Sequence, residues 1–175
     1  MHEIILPEAK PALEWVNNRV LQKVTPRPEH AFAQNEFGAA LGSWARANRK
    51  GMAGTEMHFY VQPPREVMRT LVPDVAFISY ARWPKEKLKA NIIPRVAPDA
   101  VVEVRSPDDL QVDIDEKIRV YLAAGTAVVF LVDPDTRTVT ALDERGSRTL
   151  GDGEILEHTA LPGFQLHVSQ LFELP

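Results

Sequence analysis

The stretch from Pro98 to Lys117 places a carboxylate inside an apolar strand, which strongly limits what the chain can fold into. The run Ala100–Val104 is apolar except for Glu103, and an acidic turn and a helical pattern follow it. An ionised side chain in such a run costs several kcal/mol unless it is paired or bound to a cation. Glu103 is therefore either half of a buried ion pair or a metal ligand.

The helical segment that follows adds a cation on one face. Asp113, Lys117 and Tyr121 recur every four residues, which puts them on the same side of an α-helix. Gly125 is suited to end that helix. Because strand, turn and helix are contiguous, Lys117 can reach the strand end that carries Glu103. The alternative is a solvated ion pair between Asp113 and Lys117.

Length and composition predict one domain without a membrane segment. The chain has 175 residues, 45% of them hydrophobic and 25% charged, which suits one core and is short for two. We divide it into a hairpin and linker (1–29) and a core (30–175). No apolar run is long enough to span a bilayer, and the first residues lack a signal-peptide pattern. We therefore expect a cytoplasmic protein.

The absence of cysteine and the net charge restrict the function further. With no cysteine, the chain cannot form disulfides or thiolate metal sites, so a metal would need oxygen or histidine ligands. Such ligands favour magnesium, manganese or calcium. The net charge of -4 is unlike that of most nucleic-acid binders, which carry an excess of Lys and Arg. Binding to nucleic acid would need a local basic patch.

The first 51 residues predict a hairpin followed by a helix. Asn17-Asn18 separates two apolar runs, Ala12–Val16 and Arg19–Val24, which is typical of a β-hairpin with a two-residue turn. A Pro-rich linker follows. Apolar residues at helical spacing then predict a helix that ends near Gly51. They are Phe37, Ala40, Leu41 and Trp44.

A histidine stands just before this helical pattern. His30 follows the Pro-rich linker directly. We interpret it as a cap or a hydrogen-bonded surface residue, with membership of a functional site as the alternative.

Two strands are expected between the helices. Alternation of apolar and polar residues predicts a strand over Thr55–Val61. A second run, Val72–Tyr80, contains Pro73-Asp74 near its start. Asp74 either bonds turn amides or pairs with Glu103 in a site.

The second half ends in a buried strand. Thr126–Val132 is apolar without alternation, which is typical of a central strand covered on both faces. Asp133-Pro134-Asp135 then turns the chain into Thr138–Leu142, which we expect to be an antiparallel neighbour.

The segment Arg82–Arg95 is the most basic part of the chain. It includes Lys85, Lys87 and Lys89 together with Trp83. Such a segment can contact phosphates or stack on a base, and the alternative is a solvated loop.

The order of elements predicts a mixed α/β domain with helices on both sides of a central sheet. Within it, nine short motifs follow one another: Pro73-Asp74-Val75, Pro98-Asp99, Glu103-Val104, Ser106-Pro107, Asp113, Lys117, Tyr121, Gly125 and Asp133-Pro134. This succession resembles the Uma family of restriction-endonuclease-like proteins, within the PD-(D/E)XK nuclease superfamily. The hairpin, Pro-rich link and histidine of Leu13–His30 also match, so the resemblance covers nearly the whole chain.

The resemblance implies a restriction-endonuclease-like mixed central sheet flanked by helices, preceded by a hairpin. It implies that Asp74 and Glu103 bind Mg²⁺ or Mn²⁺, with Asp99 either a third ligand or a residue at the start of its strand. The implied reaction is hydrolysis of phosphodiester bonds in nucleic acid, with DNA as the expected substrate. His30, Lys85, Lys87 and Lys89 are the expected nucleic-acid contacts. A homodimer is expected only by analogy with other nucleases.

One position departs from the superfamily pattern. Arg105 occupies the place of the usual strand lysine, and it can stabilise negative charge but cannot act as a base. In the family, a helical lysine, here Lys117, is thought to supply the missing cation. Two hypotheses follow: a metal-dependent endonuclease, or a catalytically silent module of the same fold that binds nucleic acid or a protein.

Overall fold

The structure is a computed structural model that describes residues 2–174. The strands of this part of the chain are β1 (Glu3–Ile4), β2 (Leu13–Val16), β3 (Arg19–Gln22), β4 (Gly51–Thr55), β5 (Phe59–Val61), β6 (Met68–Leu71), β7 (Val75–Ser79), β8 (Ala100–Val104), β9 (Val128–Asp133), β10 (Thr138–Asp143), β11 (Gly146–Leu150), β12 (Ile155–Leu156) and β13 (Leu166–His167). The helices are α1 (Pro28–Asn48), α2 (Lys85–Lys89), α3 (Gln111–Ala123) and a 3₁₀ helix (Val168–Leu171).

A six-stranded mixed sheet forms the centre of the fold. Its strand order is β11-β10-β9-β8-β7-β4, and every neighbouring pair is antiparallel except β8 and β9. The parallel pair needs a crossover connection, which α3 provides. This is the mixed α/β architecture that the sequence predicts.

The two faces of the sheet bury different helices. On one face Val102 packs with Phe37 and Leu41 of α1. On the other face Val101 packs with Ile118 of α3. Since successive side chains of a strand point to opposite faces, Glu103 points to the α3 side, like Val101. The predicted placement of helices on both sides of the sheet is confirmed.

The N-terminal hairpin lies over the α3 face. β2 pairs with β3, and the turn residues Asn17 and Asn18 have φ values of 49° and 59°, as a two-residue hairpin turn requires. Val16 and Leu21 pack into the same core as α3. The predicted hairpin is confirmed, and it covers the face of the sheet to which Glu103 points.

The strand predicted over Thr55–Val61 is wrong as a single element. β4 ends at Thr55, Glu56 adopts a left-handed φ of 50°, and β5 starts at Phe59. The two strands belong to different sheets, because β4 pairs with β7 and β5 pairs with β6. β4 escaped prediction because it begins at Gly51, where a Cβ would lie 2.3 Å from the backbone oxygen of Ile78. The predicted helix end near Gly51 is confirmed, since α1 ends at Asn48, but Gly51 itself begins β4.

The basic segment contains a short helix, α2, that follows β7. The ammonium groups of Lys85 and Lys87 lie 5.5 and 4.4 Å from the ring centroids of Tyr80 and Trp83. Among residues 2–174, no helix has the length and apolar character needed to cross a membrane.

Candidate active site

Asp74 and Glu103 face each other across two adjacent strands. β7 and β8 run antiparallel with Val75 opposite Val102, and the same register carried one residue further puts Asp74 opposite Glu103. Side chains that are directly opposite share one face of a sheet. Both residues are buried, with 2% and 8% of their surface exposed. The strand register thus brings two carboxylates together beneath the hairpin.

Asp74 is held by a backbone amide and by the side chains of Lys23 and His30. Its Oδ2 accepts a hydrogen bond from the Val104 amide at 2.7 Å, and its Oδ1 accepts one from Lys23 Nζ at 2.6 Å. His30 Nε2 lies 3.5 Å from Oδ2. Burial alone would raise the pKa of Asp74, but Lys23 and His30 outweigh it and hold the pKa well below its usual range. Asp74 is therefore ionised at neutral pH.

Glu103 keeps one oxygen without a regular hydrogen bond. Its Oε2 accepts a hydrogen bond from Lys117 Nζ at 2.7 Å. Its Oε1 is buried and accepts no hydrogen bond of ordinary geometry among residues 2–174, but the buried hydroxyl of Tyr121 lies near enough to interact with this carboxylate. Burial raises the pKa of Glu103 to about 7, against the attraction of Lys117. A buried carboxylate oxygen without a regular hydrogen bond is available to a cation, because leaving such an oxygen unpaired is costly.

Lys117 sits between two carboxylates. Besides Glu103, its Nζ lies 3.0 Å from Oε2 of Glu14, whose Oε1 accepts a hydrogen bond from the Val72 amide at 2.8 Å. Burial would lower the pKa of Lys117, but Glu103 and Glu14 outweigh it and raise the pKa far above its usual range. The expected closeness of Lys117 to Glu103 is confirmed, and the side chain is an ammonium rather than a base.

Glu14 and Lys23 were missed by the sequence analysis. Both come from the hairpin: Glu14 lies on β2, and Lys23 follows β3. One signal was present, because Glu14 lies two residues before Val16 and so shares its buried face. A carboxylate at an inward position of a strand needs the same explanation as Glu103. Lys23 offers no such signal, since it follows the last paired residue of the hairpin.

These groups line a pocket of about 260 Å³ beneath the hairpin. His30 also lines it, and His30 lies in the first turn of α1 rather than before the helix. Burial lowers the pKa of His30, but the hydrogen bond with Asp74 outweighs this effect, and the pKa is raised. Its Nδ1 is buried and without a partner in the described chain. His30 is therefore part of the cluster and not a surface cap.

Arg105 lines the same pocket but does not contact the two carboxylates. Its Nε lies 3.8 Å from Asp133 Oδ2, and its guanidinium hydrogen-bonds Gln111. The side chain is 32% exposed. Arg105 is thus placed to meet a ligand near the solvent side of the pocket, whereas Lys117 has the buried position.

Asp99 lies just before β8, at the far end of that strand from Glu103. It lies four residues before Glu103, which is the same face of β8 but about 13 Å away at the rise of a strand. Asp99 accepts a hydrogen bond from the Ser79 amide at 2.6 Å and lies 3.4 Å from Arg82 Nε. The structure therefore does not bring Asp99 to Asp74 and Glu103, and it fits the alternative of a residue at the start of its strand.

The basic lysines also lie away from the pocket. Lys85, Lys87 and Lys89 belong to α2, which follows the end of β7 opposite to Asp74. None of them lines the pocket. Their contact with nucleic acid stays a prediction. These lysines would contact a part of the substrate that lies far from the two carboxylates.

Asp74 and Glu103 offer the oxygen ligands that a divalent cation takes, and Glu103 Oε1 accepts no hydrogen bond of ordinary geometry. Both oxygens of Asp74 and Oε2 of Glu103 already accept hydrogen bonds from other groups of the chain. Within the described residues no group of three or more His, Asp or Glu side chains is arranged to hold a metal. Mg²⁺ is often bound through one or two carboxylates, with waters and substrate phosphates completing its coordination.

Comparison with known proteins covers almost the entire chain and agrees with the family resemblance of the motifs. Residues 2–169 match the model of the Uma2 family, described as "Putative restriction endonuclease". A crystal structure described as that of "a putative nuclease belonging to DUF820" from Anabaena variabilis superposes with a TM-score of 0.83 at 26% identity. The match covers 95% of this chain and 93% of the other. No curated protein matches significantly.

The predicted restriction-endonuclease-like fold is thus confirmed by both the sequence family and the structural neighbour. The motifs singled out above lie within the matched range, and the strand pair that carries Asp74 and Glu103 belongs to the central sheet. The chain belongs to the Uma2 family of restriction-endonuclease-like proteins.

Proposed function

We propose that the protein is a divalent-metal-dependent endonuclease that hydrolyses phosphodiester bonds in nucleic acid, with DNA as the substrate. The observation that carries the proposal is the buried pair of opposed carboxylates, Asp74 and Glu103, with Lys117 Nζ 2.7 Å from Glu103. Membership of the Uma2 family and the nuclease-like neighbour support the same reaction class.

In this proposal Asp74 and Glu103 would hold Mg²⁺ or Mn²⁺. Such an ion would polarise the phosphate, lower the pKa of a water molecule and stabilise the leaving oxygen. Asp74 is ionised without the ion, whereas Glu103 must lose its proton to bind it.

Lys117 supplies a fixed positive charge. Because its pKa is raised far above the usual range, it does not accept the proton of the attacking water. Its role is to stabilise the negative charge that develops on the phosphate in the transition state. The usual strand lysine is replaced by Arg105, and in this assignment Lys117 provides the positive charge instead. No lysine is then needed as a base.

The remaining predicted contacts lie around the two carboxylates or at the other end of the sheet. Arg105 and His30 line the pocket and are proposed to bind the phosphate groups of the substrate. The α2 segment, Lys85–Lys89, is proposed to bind flanking phosphates. We further propose that the hairpin and linker (1–29) and the core (30–175) act as one domain, because hairpin side chains reach the carboxylates.

A catalytically silent module that binds nucleic acid or a protein is the second candidate. One observation favours it: Lys23 and Lys117 already pair with Asp74 and Glu103. Such a cluster is stabilised by its own cations and can persist without a metal.

The deciding experiment is a cleavage assay on a mixed pool of single-stranded, double-stranded and branched DNA and RNA. The parent protein should cleave with Mg²⁺ or Mn²⁺ and stop with EDTA. Glu103→Gln should lose cleavage, while Asp99→Asn, at the other end of the same strand, should retain it. Failure of the parent to cleave any member of the pool with either ion would favour the silent module.

A further inference from the structure

The hairpin contributes a carboxylate whose position the nuclease reaction does not by itself explain. Glu14 is 4% exposed. One of its oxygens, Oε1, accepts a hydrogen bond from the Val72 amide at 2.8 Å, and the other, Oε2, lies 3.0 Å from Lys117 Nζ. The backbone contact fixes the orientation of the carboxylate. Glu14 is thus a rigid anchor for the Lys117 ammonium.

The second anchor of Lys117 is a residue that has another task. Glu103 binds Lys117 through Oε2 at 2.7 Å and is also a proposed metal ligand. A divalent cation bound to Glu103 would neutralise part of the negative charge that attracts Lys117, and it would repel the Lys117 ammonium. Without Glu14, Lys117 would then have only one anchor, and that anchor would be shared with a like charge.

The hairpin that carries Glu14 is fastened to the helix that carries Lys117. At its turn, Asn17 Nδ2 donates to Asp113 Oδ1 at 2.7 Å, and Arg19 pairs with Asp113 Oδ2 at 2.7 Å. Asp113 lies one helical turn before Lys117. The distance between Glu14 and Lys117 is therefore set by contacts on both sides of the pair.

We propose that Glu14 is a positioning residue that holds Lys117 at the phosphate when Glu103 binds the metal, so that the hairpin completes the active site. The proposal rests on the proposed nuclease function. It assigns Glu14 no contact with substrate or metal. Its effect is expected in the chemical step, because the charge of Lys117 matters most in the transition state.

The first test compares Glu14→Gln with Glu116→Gln. Glutamine can still accept the hydrogen bond from the Val72 amide, so Glu14→Gln removes charge with little change in size. We expect kcat to fall about 10- to 100-fold, while KM and the Mn²⁺ dissociation constant stay within about twofold. Glu116 is the matched control, because it is the neighbour of Lys117 on α3 but pairs with Arg69 and Arg119. Glu116→Gln should leave kcat unchanged.

The second test does not need activity. A double-mutant cycle on thermal unfolding, with Glu14→Gln, Lys117→Met and the double variant, measures whether the two side chains are coupled. The midpoint shift of the double variant should differ clearly from the sum of the single shifts. Glu116→Gln combined with Lys117→Met should be additive.

The outcomes separate the two proposals. Additive shifts for Glu14 and Lys117, or an unchanged kcat for Glu14→Gln in an active parent, would overturn the role of Glu14. An equal rise in KM and loss of metal affinity would also overturn it, because Glu14 would then act on binding. If the parent protein does not cleave but Glu14 and Lys117 are coupled in the double-mutant cycle, the nuclease function is refuted. The anchoring of Lys117 by Glu14 is then still supported.

Discussion

Two Pro-Asp dipeptides, one before each strand of the β7–β8 pair, have different surroundings. Because the strands are antiparallel, Asp74 and Asp99 lie at opposite ends of the pair. Each accepts a hydrogen bond from the neighbouring strand: Asp74 from the Val104 amide at 2.7 Å, and Asp99 from the Ser79 amide at 2.6 Å. The local backbone roles of the two aspartates are nearly the same.

The difference lies in what each aspartate faces. Asp74 faces Glu103 and is covered by the hairpin, so that it is 2% exposed. The register places Asp99 opposite apolar Ile78, and its 24% exposed side chain pairs with Arg82. A Pro-Asp dipeptide therefore marks the start of a strand. Whether its aspartate belongs to a site depends on the residue opposite it on the neighbouring strand and on the element that covers it.

The largest effect is expected when one cationic side chain is removed at each end of the β7–β8 pair and the two variants are compared. Lys117→Met should lower kcat about 10³-fold or more, because it removes a charge that stabilises the transition state, and it should leave Mn²⁺ binding largely intact. Arg82→Met, at the Asp99 end, should leave kcat unchanged. Cleavage rates at saturating substrate and metal titrations measure both. Equal losses in the two variants would break the comparison.

The stability of the two ends should also differ. Asp74→Asn leaves Lys23 and His30 without their buried partner and should cost about 3–5 kcal/mol of unfolding free energy. Asp99→Asn weakens a partly exposed pair and one hydrogen bond and should cost about 1–2 kcal/mol. Denaturant unfolding at pH 7 in EDTA gives both values. A larger cost for Asp99→Asn than for Asp74→Asn would contradict the account, because the more strongly stabilising carboxylate would then be Asp99.

Glu103 should show the opposite dependence on pH from Asp74. Its folded-state pKa is raised to about 7, above its unfolded value, so ionisation destabilises the metal-free folded chain. Relative to Glu103→Gln, the parent should lose about 1–3 kcal/mol as the pH rises from about 4.5 through about 7. Unfolding in EDTA at several pH values measures this difference. A parent that gains stability relative to the variant over this range would contradict the raised pKa.

The smallest effect is expected from the α2 lysines at the Asp99 end. Reversal of Lys85, Lys87 and Lys89 to Glu should weaken DNA binding by about tenfold and flatten its salt dependence, because fewer phosphates are neutralised. The value of kcat at saturating substrate should not change. Binding measured at several salt concentrations tests this, and unchanged affinity would make α2 a surface without contact to the substrate.

Much of the strand-helix part of the site was predictable. An apolar run around Glu103 requires a partner or a cation, and helical spacing brings Lys117 toward it. Both inferences depend on residues that are close in sequence. The hairpin turn at Asn17-Asn18 was predictable for the same reason, since two residues that tolerate positive φ determine it.

The parts that were not predicted depend on long-range pairing. The separation of Asp99 from Asp74 follows from the antiparallel register of β7 and β8, which periodicity within either strand does not encode. Glu14 and Lys23 reach residues 103 and 51 positions away in sequence. The hairpin pattern predicts their local structure but not the surface on which the hairpin lies.

Anomalous diffraction from crystals grown with Mn²⁺ tests the central claim most directly. The account predicts one anomalous peak per chain, within coordination distance of both the Asp74 and Glu103 carboxylates, and no peak at Asp99. Crystals of Glu103→Gln grown in the same way should lose the peak. A peak at Asp99, or a parent structure at saturating Mn²⁺ in which Lys23 and Lys117 pair with Asp74 and Glu103 and no ion is bound, would contradict it.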